Sequence, residues 1–164
     1  MTFFEVFAGL SGATAVVAGA FGAHALKDKL NPHQAASWST ATQYQLVHSV
    51  ALLFISSRVP LTGAAYFASA AFATGITLFS GSIYGLCLLN AGNPVRKLLG
   101  PTTPLGGLSF IFGWVALAIA ATRNSLKEAE RVAAERRSQQ ALRYQTWKNG
   151  EASEHNNLGY GKKN

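Results

Sequence analysis

The chain has 164 residues, and its 14 basic and 7 acidic residues are unevenly distributed. Residues 1–122 hold seven of these charges, whereas residues 123–164 hold fourteen. About a quarter of the residues of a soluble globular domain are charged, so the composition excludes an ordinary soluble globule for residues 1–122. The single cysteine, Cys87, cannot close an internal disulfide. The basic residues form no aromatic-rich stripe, which argues against a nucleic-acid partner.

Long uncharged stretches predict four transmembrane helices, because about 20 apolar residues are needed to cross the hydrocarbon core. The predicted spans are residues 4–26, 44–58, 62–89 and 104–122. Between the first two, Asn31-Pro32 fits a helix start, and residues 32–43 are predicted to form an interfacial amphipathic helix. The predicted fold class is all-α: a polytopic membrane protein with a compact four-helix bundle and both termini on one side.

The first span has a second interpretation as a cleaved signal peptide, because Ala18-Gly19-Ala20 resembles a cleavage site. A signal peptide begins with basic residues, and this segment has Glu5 there, so we favour a retained helix. Six basic residues near the membrane on the side of the termini face four on the other side, which favours termini in the matrix or cytoplasm.

Small residues recur at helical spacing in the predicted spans and indicate where helices approach closely. We expect these contacts to lie within one bundle, and a dedicated dimer face is the alternative. The predicted packing seam consists of Gly9, Gly12, Gly19, Gly22, Gly81, Gly85 and Gly113.

Few ionisable or strongly polar groups lie in the predicted spans, and such groups are the default functional candidates there. We interpret His24, Gln45 and His48 as intramembrane polar contacts that tie helices together, with a proton relay or ligand site as the alternative for His48. A metal site at His24, Asp28 and His33 is disfavoured because Lys27 and Lys29 oppose a cation. No catalytic motif or dinucleotide fingerprint is present, so we predict no catalytic residue, no metal and no cofactor.

Four segments carry a resemblance to a known family: Gly19 to Leu26, Trp38 to His48, Phe79 to Tyr84, and Gly100 through Trp114. They resemble the domain-of-unknown-function 423 family, whose eukaryotic members include transmembrane protein 256. The resemblance covers about residues 3–122 and implies a small four-helix membrane protein of bacteria and mitochondria with no established catalytic activity.

The polar extension at residues 123–164 departs from that family, whose small members end soon after the fourth helix. We predict a charged helix to about residue 148, including an Arg131–Glu135 pair, followed by an extended segment. We expect the extension to contact a partner protein through Arg131, Arg136, Arg137, Arg143, Tyr144 and Trp147.

These features predict a non-catalytic accessory subunit of a membrane complex, and the resemblance favours a respiratory-chain complex of the mitochondrial inner membrane. The bacterial plasma membrane is the alternative location. The alternative function is a small oligomeric transporter or channel with a polar face around His48. The predicted partners are other subunits and phospholipids, including cardiolipin, whose headgroups basic residues can hold. The candidate headgroup contacts are Arg58, Arg96 and Lys97.

Overall fold

The computed structural model describes residues 3–57 and 63–160, and for residues 151–160 it describes the backbone alone. These residues form helices and loops, with no strand among them, which confirms the all-α fold. The helices are α1 Phe3–Ala23, α2 Pro32–Ser56, α3 Ala64–Gly75, a π-helical segment Ile76–Ser80, α4 Gly81–Leu88 and α5 Arg96–Tyr160.

Three stretches of the described chain are long and apolar enough to cross a membrane: α1, the run from α3 through α4, and a part of α5. The helix α2 has 25 residues but a lower apolar content, because it contains Gln34, Gln43, Gln45 and His48. It is the element that corresponds to the predicted second span. The structure therefore contains three apolar spanning helices and one more polar helix that packs along α1.

The distribution of side chains in the bundle is that of a membrane protein. Polar side chains such as Gln45, His48 and Ser49 are buried, whereas Val17, Val50 and Phe112 are exposed. In lipid, polar groups must find partners inside the protein, and every buried side-chain nitrogen or oxygen among the described residues has one.

The boundaries of α2 differ from the prediction. Residues 32–43 and the second span form one continuous helix. Its start is fixed by a capping box: the Asn31 side chain accepts a hydrogen bond from the Gln34 backbone N–H at 2.8 Å, and the Gln34 side chain accepts one from the Asn31 N–H at 3.1 Å. This reciprocal cap satisfies two backbone donors at the helix start.

Two further features also differ from the prediction. The third span is a helix interrupted by the π-helical segment Ile76–Ser80. The predicted extended segment after residue 148 is wrong over its described part, because α5 continues as a helix to Tyr160. Shortly before residue 148 the helix is supported by a local side-chain hydrogen bond, from Thr146 Oγ1 to the Leu142 carbonyl at 2.9 Å.

The chain divides into two compact units, one ending at Ala120 and the other beginning at Ala121. The first unit has two core clusters. One is centred on Leu52 and Phe72, and the other joins Leu26, Trp38 and Cys87. The second cluster brings the α1–α2 loop against the end of α4.

Candidate functional site

A hydrogen-bond network centred on Gln45 ties three helices together inside the bundle. The Gln45 Nε2 donates to the Ser11 carbonyl and to Thr14 Oγ1, both at 2.9 Å, while its Oε1 accepts from the Tyr84 hydroxyl at 2.8 Å. Ser49 Oγ lies 2.7 Å from Ser11 Oγ. We call these five residues the Gln45 network. Each amide hydrogen of Gln45 has a protein acceptor, so the network is a structural connection between α1, α2 and α4.

His48 lies next to this network in a pocket of aromatic rings. Its Nδ1 is 2.7 Å from the Tyr44 carbonyl, and its Nε2 accepts a hydrogen bond from Trp114 Nε1 at 3.2 Å. These partners assign the proton to Nδ1, because Nε2 faces an N–H donor. The imidazole also stacks on Phe110 with 3.6 Å between ring centroids. Both ring nitrogens are thus paired, as expected for an interhelical contact.

The two histidines predicted as intramembrane contacts lie at different levels of the bundle, and the prediction is wrong for His24, which lies just beyond the end of α1. The α1 and α2 helices run antiparallel, because Ser11 meets Ser49 while Ala18 meets Trp38. His24 is exposed near the end of α1. It therefore lies about 18 Å along the helix axis from the level of His48, given a rise of 1.5 Å per residue. Among the described residues there is no group of three potential metal ligands, so His24, Asp28 and His33 do not converge.

Part of the predicted packing seam lies at close helix contacts. A Cβ added at Gly22 would lie 2.5 Å from two Trp38 ring atoms, and one at Gly113 would lie 2.6 Å from the Phe72 ring. Gly12, Gly19 and Gly85 also face side chains of neighbouring elements.

Two of the seam predictions are wrong. An added Cβ at Gly9 or Gly81 would meet no atom within 4 Å. Gly9 is rotated by about 60° from Gly12 around α1, which turns it away from α2. Gly81 lines an open cavity of 540 Å³ between α1 and α4.

Two further close helix contacts involve glycines that were not among the predicted seam residues. A Cβ at Gly106 would overlap the backbone of Phe79, and one at Gly75 would lie 2.5 Å from the Phe110 ring. Phe79 belongs to the π-helical segment, and π-helical turns often occur at functional sites. The Gly106-Gly107 pair in an apolar stretch was the signal that could have pointed to this contact.

The predicted headgroup residues have different surroundings. Arg58 lies outside the described residues. The Arg96 guanidinium donates from one nitrogen to the Leu86 carbonyl and to the Leu89 carbonyl, the second bond being 2.9 Å long. Arg96 therefore caps the end of α4, where a cation is favourable. Lys97 is exposed.

In the second unit, the six candidate partner contacts are all exposed residues of α5. Arg136, Arg137 and Arg143 are exposed, and the rings of Tyr144 and Trp147 lie 5.9 Å apart. The predicted pairing of Arg131 with Glu135 is wrong. Arg131 instead bonds Glu128 at 2.8 Å, one turn towards the N-terminus, because residues spaced by three are also neighbours on a helix surface.

Two family models match the chain, one after the other. A model described as a protein of unknown function (DUF423) matches residues 18–107. A second, described as the mitochondrial ATP synthase epsilon chain, matches residues 107–150. The matches meet within α5, and the second includes all six candidate partner contacts.

Relatives occur in fungi and bacteria. A UPF0382 membrane protein of Schizosaccharomyces pombe is 42% identical over 120 residues, which are 73% of this chain and 100% of the relative. One of Staphylococcus aureus is 41% identical over 127 residues, 73% of this chain and 95% of the relative. One of Bacillus subtilis is 33% identical over 126 residues, 75% of this chain and 98% of the relative. No solved structure matches the chain.

Proposed function

Since the chain belongs to the DUF423 family of membrane proteins, we propose that its helix bundle is an anchor and that the protein is a non-catalytic accessory subunit of a mitochondrial inner-membrane complex. The observation that carries the proposal is the match of residues 107–150 to the mitochondrial ATP synthase epsilon chain. Because of this match, we propose the ATP synthase as the complex, in place of the respiratory-chain complex predicted from the sequence.

The surface of the second unit supports a role in protein contact. The side chains of Tyr144 and Trp147 are 57% and 56% exposed. Tyrosine, tryptophan and arginine are the residue types enriched at the centres of protein interfaces. An exposed stretch that combines both aromatic types with arginines is thus suited to a protein partner with an acidic surface.

The candidate contacts do not all share one face of α5. With 100° between successive residues, Arg136, Arg143 and Trp147 lie within about 40° of each other around the helix. We call these three residues the basic face. Arg131 lies about 140° from Arg136, and it is engaged with Glu128. We therefore assign the docking contact to the basic face and exclude Arg131 from it.

The test is to express the tagged chain in fission yeast and to purify it from isolated mitochondria in a mild detergent. The proteins that co-purify are then measured by quantitative mass spectrometry. We expect ATP synthase subunits to co-purify with the full chain. A variant that ends at Thr122 keeps the helix bundle and should insert into the membrane without enriching them. Equal enrichment with the truncated variant would contradict the proposal.

The fission yeast relative is a matched control for this experiment. Its whole length aligns with 73% of this chain, so it supplies a natural bundle of the same family. The tagged relative should insert as the full chain does and should not enrich ATP synthase subunits. Enrichment by the relative would assign the contact to the bundle and overturn the role proposed for residues 123–150.

The alternative function, a small transporter or channel, has the polar groups of the Gln45 network as its support. These groups pair with one another across α1, α2 and α4, and His48 is enclosed by aromatic rings. We therefore favour the accessory subunit. Flux through liposomes containing the purified protein, abolished by His48→Ala, would favour transport instead.

A further inference from the structure

The start of α2 and the end of α4 are joined by a pair of reciprocal contacts. The Gln34 Nε2 donates to the Cys87 carbonyl at 3.3 Å, and Cys87 Sγ donates to the Gln34 carbonyl at 3.5 Å. Leu26, from the α1–α2 loop, packs in the same cluster as Cys87. The α1–α2 loop and the α4–α5 loop therefore lie at the same end of the bundle. We call this the loop end of the bundle.

The loop end collects most of the charge of the first unit. It carries Lys27, Lys29, Arg96 and Lys97 against one acidic residue, Asp28. The opposite end of the bundle is where Phe4 contacts Tyr66. Within the described part of the first unit, Glu5 is the one charged residue at that end. Lys27 and Lys29 are exposed, whereas Arg96 is engaged at the end of α4. The exposed cations at the loop end are thus Lys27, Lys29 and Lys97, and the first two lie in the same loop, where they can bind one anion together.

A groove runs along α1 and α2, and two of its lining residues, Ala23 and Leu30, flank the loop segment that carries these lysines. It has a volume of 280 Å³ and is lined by Gly19, Gly22, Ala23, Ala35, Trp38 and Thr42, among others. We call it the Trp38 groove. Small residues on α1 leave it open, while the indole ring is fixed by its hydrogen bond to the Ala18 carbonyl at 2.8 Å.

The position and lining of the Trp38 groove match one class of ligand. Its walls belong to the last turns of α1 and the first turns of α2, where the apolar span gives way to the loop. The lining is mainly apolar, with Ser39, Thr42 and Gln43 as polar members. Tryptophan is favoured at headgroup level, and lysines next to a membrane attract anionic lipids.

We propose that the loop end binds an anionic glycerophospholipid, with its phosphate on Lys27 and Lys29 and its glycerol and upper acyl chain in the Trp38 groove. The charge of the two lysines selects an anionic over a zwitterionic headgroup. The groove holds the part of the lipid that both classes share. The proposed site differs from the headgroup contacts Arg58, Arg96 and Lys97 predicted from the sequence and does not depend on the proposed partner protein.

The test uses the full chain in a non-ionic detergent, titrated with phosphatidylglycerol or phosphatidylcholine of identical acyl chains, with bound lipid counted by native mass spectrometry. We expect phosphatidylglycerol to bind at least about tenfold more tightly, since each lysine near an anionic surface contributes a factor of about five. The double variant Lys27→Gln/Lys29→Gln should reduce this preference to near one. Equal binding of the two lipids by the unaltered chain would overturn the proposal.

Two controls separate headgroup selection from other effects. The variant Lys127→Gln/Arg131→Gln removes the same charge from the second unit and should keep the preference. Ala23→Leu places a larger side chain in the Trp38 groove and should weaken the binding of both lipids about equally. Ala36→Leu changes an exposed position outside the lining and should leave the binding of both lipids unchanged. The proposed site would be contradicted if both charge variants lost the preference for phosphatidylglycerol equally, or if Ala23→Leu had no effect on lipid binding.

Discussion

Trp114 on α5 donates a hydrogen bond from Nε1 to Nε2 of His48 on α2 over 3.2 Å. The bond joins two helices that are 66 residues apart in the sequence at this contact. The bond also assigns the tautomer of the histidine. Because Nε2 accepts this hydrogen bond and Nδ1 faces a backbone carbonyl, the proton lies on Nδ1. His48 is in this arrangement a neutral connector between helices.

The first prediction concerns the energy of this bond. In a double-mutant cycle with His48→Leu and Trp114→Phe, the two changes should be non-additive by about 0.6 kcal/mol and by no more than about 1.7 kcal/mol, the average and the maximum measured for side-chain hydrogen bonds between membrane helices. The free energy of unfolding in mixed micelles gives the four values of the cycle. Strict additivity would show that the two side chains do not interact.

The second prediction concerns the approach of α5 to the π-helical segment. Gly106→Ala should destabilise the bundle by about 1–3 kcal/mol, because its Cβ would overlap backbone atoms of Phe79. Gly107→Ala is the matched control, since its Cβ would make an ordinary contact at 3.8 Å. The control should be neutral or stabilising because alanine favours helices. Thermal unfolding in detergent measures both, and similar losses for the two variants would contradict the contact.

The third prediction separates the packing glycines of α1. Gly22→Ala should lower the free energy of unfolding by about 1–3 kcal/mol, because the Trp38 ring would have to move away from the Ala18 carbonyl. Gly9→Ala places a methyl group in open space and should not destabilise the protein. If Gly9→Ala were the more damaging change in the same assay, the assignment of the α1–α2 interface would be wrong.

The fourth prediction tests the basic face of the second unit. Arg136→Glu/Arg143→Glu should reduce co-purification of ATP synthase subunits at least about tenfold, because charges at an interface favour a complementary partner surface. Lys127→Glu/Arg131→Glu changes the net charge equally on another side of the helix and should leave most of the co-purification intact. Equal losses would indicate a general effect of charge without a defined face.

The all-α membrane fold and the start of α2 could be predicted from local signals. An uncharged run of about 20 residues indicates a span, and Asn31-Pro32 is a local helix-start signal that the capping box fulfils. Small residues also indicated Gly22 and Gly113 as contacts. These features depend on neighbours in the sequence or on residue size alone.

Other features depend on tertiary contacts and could not be read from the sequence. The π-helical turn at Ile76–Ser80 accompanies the approach of Gly106 to Phe79. The partners of Gln45 come from α1 and α4. The sequence shows polar residues in α1 (Ser11 and Thr14) and in α2 (Gln45 and Ser49), but it does not show which of them pair. Arg131 could pair in either direction along its helix, so periodicity alone did not choose Glu128 over Glu135.

Site-specific photo-cross-linking at the basic face tests the proposed function most directly. A benzophenone amino acid replaces Trp147 in the full chain expressed in fission yeast mitochondria, and the matched control replaces Asn149, which lies about 160° away around the helix. The account predicts that position 147 cross-links to an ATP synthase subunit and that position 149 does so much less. Cross-links from position 147 that contain no ATP synthase subunit would contradict it.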